Sequence, residues 1–123
     1  MDQRELIQIA ASLAQPFTPS EDCTAGTVAA ALVTGAGNVY TGVCIDTACS
    51  LGFCAEHAAV AEMLKARESA VRIVVAVNSA GDVLPPCGRC RELLWQLDRR
   101  NTTTWVVLAA GEGAMLAELL PRR

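Results

Sequence analysis

Several things are scarce in this chain. Lys and Arg total 10 against 13 Asp and Glu, a formal charge of −3. It therefore lacks the basic face that non-specific nucleic-acid binding needs, and the Arg99-Arg100 and Arg122-Arg123 pairs read as solvated ends. No apolar run approaches the length of a membrane-spanning helix. The opening Met1-Asp2-Gln3-Arg4-Glu5 is too charged for a secretory signal. The expected location is a reducing cytoplasm, where the 6 cysteines point to metal ligation or burial rather than to a disulfide framework. In that setting the sequon Asn101-Thr102-Thr103 is a coincidence. Aromatic residues make up only 4%, so the core must come from Ala, Val, Leu and Ile. Apolar residues reach 52%, above the usual fraction, and 123 residues are enough for one domain over 1–123 with a core of its own.

Residues 3–14 carry Leu6, Ile7, Ile9, Ala10, Leu13 and Ala14 at helical spacing, and Pro16 and Pro19 end the pattern. Residues 15–24 read as a loop. Residues 27–34 and 39–46 flank Gly35-Ala36-Gly37-Asn38 and read as a β-hairpin. A loop over 47–53 delivers Cys54. From there to about Arg67 the chain has a helical pattern that is apolar nearly all round for two turns, which places it in the core against a sheet. Residues 71–77 are mostly β-branched, as in a strand buried on both faces in a parallel arrangement. Asn78 to Asp82 turns, and Leu84-Pro85-Pro86 stops any strand and sets up a helix from Cys87 to about Asp98, with Leu93, Leu94 and Leu97 as its stripe. Residues 103–109 are another strand, Gly111 and Gly113 mark a turn, and 115–120 is a strand stub or a last helix. There is no internal repeat. The order predicts an α/β fold, a mixed sheet with right-handed crossovers and helices on both faces.

Cys54-Ala55-Glu56 and Pro86-Cys87-Gly88-Arg89-Cys90 both open helices that follow strands. Free N–H groups at a helix N-terminus favour thiolates. Cys87 and Cys90, three apart, share one face of a first turn. Helices after successive parallel strands start at one sheet edge, where sites tend to form, so the three sulfurs should meet. A cysteine pair plus one more cysteine leaves a tetrahedral zinc one open position, and Glu56 can move the protons of a water there. Three thiolates on zinc carry net negative charge; His57, Arg89 and Arg91 are the nearby cations that can offset it.

These residues, with Arg91, resemble the zinc signature of the cytidine deaminases and, nearly as much, that of blasticidin S deaminase. Val28-Ala29-Ala30-Ala31-Leu32, Gly42-Val43 and Glu118-Leu119-Leu120-Pro121 have counterparts in the same order, so the similarity runs from about residue 24 onward. The resemblance implies a three-layer α/β/α cytidine deaminase-like fold around a mixed sheet of about five strands. It implies zinc held by Cys54, Cys87 and Cys90, with Glu56 carrying protons from water to the ring nitrogen and to the leaving amine. It implies that the Ala55 backbone helps hold the base, and that the partners are a small nucleoside and further copies of the chain, as a homotetramer or a dimer. Several positions depart from the family pattern. Cys44-Ile45-Asp46 stands where Asn-x-Glu meets the ribose, leaving Cys44 and Asp46 as the sugar-side candidates. His57 replaces an arginine that steadies the thiolates, Gly26 replaces an aromatic, and the tail to Arg123 carries no aromatic for a neighbouring subunit's site.

Blander readings stand beside these. A structural zinc takes four protein ligands, with Cys44 or Cys49 as the fourth. Cys23, Cys44 and Cys49 are otherwise small buried or loop residues. His57 is either a packing residue or a donor to a thiolate, and Trp95 and Trp105 are core or subunit-contact residues. Arg89 and Arg91 compensate the site or lie on a helix surface, and Asp46 is a ribose contact or a strand-end cap. The expected activity is hydrolytic deamination of a free cytidine- or deoxycytidine-like nucleoside. The rivals are blasticidin S or another aminopyrimidine nucleoside as substrate, and a non-catalytic zinc-binding module.

Overall fold

Helix α1 (Gln3–Leu13) forms where its apolar spacing predicts it. Asp2 caps it, the carboxylate accepting the Glu5 N–H at 2.9 Å. The structure, a computed structural model, describes residues 1–122; Arg123 of the Arg122-Arg123 ending lies outside the described residues.

The segment expected as a loop over 15–24 is instead a short hairpin arm. Strand β1 (Phe17–Ser20) pairs antiparallel with the first residues of β2 (Cys23–Thr34), and all its side chains are exposed. An edge strand held by backbone pairing alone carries no hydrophobic pattern and tolerates Pro19. β2 begins four residues before the predicted Thr27 and is interrupted near Gly26, where φ is +82° and the register slips between Ala25 and Ala29. A Cβ at Gly26 would press on the Gln15 carbonyl, so the aromatic of the family pattern has no room there.

β3 (Val39–Thr47) returns along β2, and a 3₁₀ turn (Ala48–Ser50) leads to α2 (Ala55–Lys65). β4 (Val71–Asn78) then lies antiparallel to β2 on the side away from β3. β5 (Val83–Leu84) folds back on β4, α3 (Gly88–Leu97) follows, and β6 (Trp105–Ala109) runs parallel to β4. Of the two alternatives for 115–120 the structure takes the helix, α4 (Leu116–Leu119); a strand, β7 (Glu112–Met115), precedes it, with Gly113 inside the strand rather than in the turn. The sheet has 7 strands; the five expected are the through-going β3-β2-β4-β6-β7, to which β1 and β5 add short arms. The parallel arrangement read from residues 71–77 holds for β4 with β6 only, because antiparallel β2 lies between β3 and β4.

Two cores line the two faces. Leu6 and Ala10 of α1 pack on Ala31, Val33, Val75, Val77 and Val107. On the other face Ala59 and Met63 of α2, Leu94 of α3 and Leu116 of α4 pack on Ala30, Leu32, Val74 and Val106. The result is the three-layer α/β/α arrangement. Helix α2 is less buried than its composition suggests: Ala55, Ala59, Val60 and Met63 face the sheet, whereas Ala61 and Leu64 are exposed. Among the described residues no helix is long and apolar enough to cross a membrane.

The sequon asparagine is a structural keystone. Asn101 is fully buried; its Oδ1 accepts the Val71 N–H at 2.8 Å, and its Nδ2 donates to the carbonyls of Leu94 and Ser69 at 2.8 and 3.1 Å. It ties α3 to the start of β4. The neighbouring arginines are engaged rather than merely solvated. Arg99 lies over the Trp95 ring at 3.5 Å, and Arg100 pairs with Asp98 at 2.6 Å. Trp95 packs against the core and Trp105 Nε1 donates to Gln3 Oε1 at 3.0 Å.

Because β3 and β4 are both antiparallel to β2, they run in the same direction. The helices that follow them, α2 directly and α3 after β5, therefore begin at the same end of the sheet.

Candidate zinc and catalytic site

Cys54 is the N-cap of α2 and Cys87 the N-cap of α3; neither side chain caps its helix, which leaves both sulfurs free to turn outward from the helix ends. Cys90 sits in the first turn of α3 and is buried. The Cys54 and Cys87 sulfurs are 3.6 Å apart and those of Cys87 and Cys90 3.4 Å. Cys54 and Cys90 also lie within 4.8 Å of each other, together with the ring nitrogen of His57. The structure thus brings together the three cysteines predicted to meet, and adds His57, whose Nδ1 is 3.6 Å from the Cys90 sulfur.

The electrostatics are those of a site short of positive charge. Burial pushes the Cys90 thiol well above its ordinary range, and Glu56 and the other sulfurs push it further. Burial also raises Cys54. At Cys87 burial acts upward too, but backbone donors at the start of α3 and the two neighbouring thiols outweigh it, and the net shift is downward. Three crowded sulfurs with an imidazole beside them are soft and borderline donors suited to zinc. The donor set fits that metal.

Glu56 lies in the first turn of α2 and is only 6% exposed. Burial raises its carboxyl above the usual range, against the pull of its own backbone N–H and the Cys90 thiol. His57 is lowered by burial and then by the charge of Arg89. Of the two arginines expected near the site, Arg89 lines the cavity, whereas Arg91 donates to the Pro86 carbonyl at 3.2 Å and braces the loop instead.

A cavity of about 580 Å³ opens over this cluster, within the range of small-ligand pockets. Cys54, Ala55, Glu56 and Cys87 line one part of it; Cys44, Ile45, Asp46 and Thr47 of β3 line another. Cys44 is buried and locally satisfied: its sulfur accepts the Val28 N–H at 3.3 Å and faces Asp46 Oδ2 at 3.6 Å. Cys49 is exposed, with φ at +59°. Among the described residues, Cys54, His57 and Cys90 form a group able to hold a metal, and Cys87 lies against both of its sulfurs; Cys44 and Cys49 are not gathered with them. Sequence reasoning missed Phe53, whose ring stacks on His57 and which also lines the cavity. An aromatic in a chain so poor in them, directly before Cys54, was the available signal.

Comparison with known proteins agrees with this geometry. Residues 1–107 match the family described as the cytidine and deoxycytidylate deaminase zinc-binding region. The crystal structure of cytidine deaminase from Mycobacterium leprae superposes with a TM-score of 0.82 at 25% identity, covering 99% of each chain. That from Mycobacterium tuberculosis gives 0.81 at 28% identity, over 98% of this chain and 95% of the other. That from Burkholderia pseudomallei gives 0.77 at 29% identity, over 98% of each. The chain belongs to the cytidine and deoxycytidylate deaminase zinc-binding family, and its metal is zinc, for which Cys54, His57 and Cys90 form a group able to hold an ion.

Proposed function

We propose that this protein hydrolytically deaminates a free cytidine- or deoxycytidine-like nucleoside, consuming one water and releasing ammonia and the uridine-like product. The observation that carries this reading is Glu56: a carboxylate 6% exposed, in the first turn of α2, on the wall of the cavity that also holds the sulfurs. A buried carboxyl needs a partner or a task, and burial raises it above the usual carboxyl range, the direction that helps a group both take and give a proton.

Cys54, Cys87 and Cys90 would hold the zinc, which when bound acts as a Lewis acid and makes water acidic enough to lose a proton. Glu56 would take that proton and deliver it to the ring nitrogen as the water oxygen bonds to the ring carbon; it would then take the second proton from that oxygen and give it to the amine, whose bond to the carbon breaks as ammonia leaves. The Ala55 backbone helps orient the base. Asp46 accepts a sugar hydroxyl from across the cavity, and Cys44, bonded to both Val28 and Asp46, holds that carboxylate in place. The whole chain, 1–123, acts as one cytoplasmic domain. Exposed Leu51, Phe53, Trp105 and Met115 supply apolar surface for a homo-oligomer, a tetramer or dimer.

Cys44-Ile45-Asp46 also favours a second reading within the same chemistry. The shorter acid and the missing amide suit a sugar or base that is modified, as in blasticidin S. A panel of cytidine, deoxycytidine, methylated cytidines and blasticidin S, read by ammonia release and loss of the 4-amino chromophore, separates the readings. Native protein should release ammonia from at least one member, and Glu56→Ala from none. Zinc binding with every member untouched would leave a non-catalytic zinc module.

A further inference from the structure

We propose that His57, held by Phe53, is a positioning residue for the metal centre: its Nδ1–H donates to the Cys90 sulfur, and His57 is not itself a zinc ligand. The inference rests on the three-cysteine ligand set proposed above.

The first observation is the 3.6 Å approach of His57 Nδ1 to Cys90 Sγ, within hydrogen-bonding reach of sulfur. Cys90, at 1% exposure, is the most enclosed of the three cysteines, so water contributes least to its thiolate. A buried charge needs a donor. The second is that the imidazole has an aromatic neighbour aligned with it. The Phe53 ring lies nearly parallel to it, 17° between planes and 6.4 Å between centroids. Phe53 is itself locked to β3, exchanging N–H and carbonyl with Ile45 at 3.0 Å in both directions. Gly52 lies so close to the Ile45 carbonyl that a Cβ there would collide with it. An unbroken path of contacts thus runs from the strand carrying Cys44 and Asp46, through Phe53 and His57, to Cys90.

The third observation decides donor against ligand. Three thiolates and an imidazole would make four protein ligands and close the site. Glu56, buried and lining the cavity beside them, would then have no exchangeable position to serve. As a donor, His57 draws charge from one sulfur and sets its direction, as groups behind metal ligands generally do.

The test uses the full-length zinc protein, chelator competition for affinity, and cobalt substitution for the ligand set. His57→Ala should weaken zinc binding about 10–100-fold, with the sulfur-to-cobalt charge-transfer intensity and the d–d bands unchanged. His57→Gln, which keeps an N–H donor, should recover most of that affinity, and Phe53→Ala should shift it the same way by less. If His57→Ala fails to fold, His57→Phe removes the donor while keeping a ring. Native affinity in the variants lacking the donor would reduce His57 to a packing residue and overturn the proposal. A change of d–d bands on removing the imidazole would overturn it in favour of ligation. A native cobalt spectrum with fewer than three thiolates would instead sink the three-cysteine set, and with it the basis of the inference.

Discussion

The two ends of α2 carry the same side chain and put it to opposite uses. At the N-terminal end Glu56 is buried among sulfurs, and burial raises its carboxyl. The positive end of a helix dipole should favour the ionised form there, so desolvation is the stronger effect at this position. Just past the C-terminal end, Glu68 accepts the Tyr40 hydroxyl at 2.5 Å and the Asn38 amide at 2.8 Å. These bonds, with one from Thr34, hold its carboxyl below the usual range. One carboxylate is left without enough donors and is suited to exchange protons. The other has its donors and pins the β2–β3 hairpin to the helix. Environment, not residue type, separates chemistry from structure.

The largest effect should come from Glu56→Gln. Turnover should fall by about 10²–10⁴-fold, the usual contribution of a general acid–base, while zinc content and melting temperature stay at or above native values. Steady-state kinetics beside metal analysis and calorimetry check this; residual turnover near native would remove Glu56 from the reaction.

Met63, fully buried between the two ends, tests their independence. Met63→Ala should cost about 3 kcal/mol in denaturant unfolding, with the zinc-loaded enzyme turning over at the native rate. A matching collapse in turnover would mean that the ends are not separable.

Asp46→Ala sharpens the comparison inside the site itself. Losing a hydrogen bond to a charged acceptor should raise KM for nucleosides about tenfold, with kcat preserved and sugar-free aminopyrimidines unaffected. Equal losses for both classes would remove Asp46 from sugar recognition.

Glu68→Gln should have the smallest effect. Because the native carboxyl is held below its unfolded value of about 4.3, its contribution is fully present above that pH. It fades as pH falls through the lower folded value. The native protein should therefore lose stability on acidification in a step that Glu68→Gln lacks, with turnover unchanged in both. Identical acid limbs in the two proteins would show that the clamp contributes nothing.

The candidate site was legible because its signals are local. Cysteines three apart share a helical turn wherever the helix lies, Leu84-Pro85-Pro86 sets up a helix start, and α1 shows its period in its own residues. A carboxylate two residues after a cysteine that opens a helix can be read the same way. β1 was hidden because its pairing is all backbone, with its four side chains in solvent. Arg91 looked like a cation for the metal site until the loop supplied the Pro86 carbonyl. Asn101 looked like a chance sequon until three distant backbone groups converged on it.

By itself, then, the sequence determined the elements that open on Cys54 and Cys87, the sulfur donors they offer and the carboxylate beside them, because each rests on short-range spacing and helix-end physics. Only the tertiary structure decided that antiparallel β2 lies between β3 and β4, so that α2 and α3 start at one end of the sheet. It also decided that the rings of Phe53 and His57 stack beside Cys90, and which carboxylate is buried. Those outcomes depend on which strands pair and on what each side chain meets across the fold, and no local pattern encodes either.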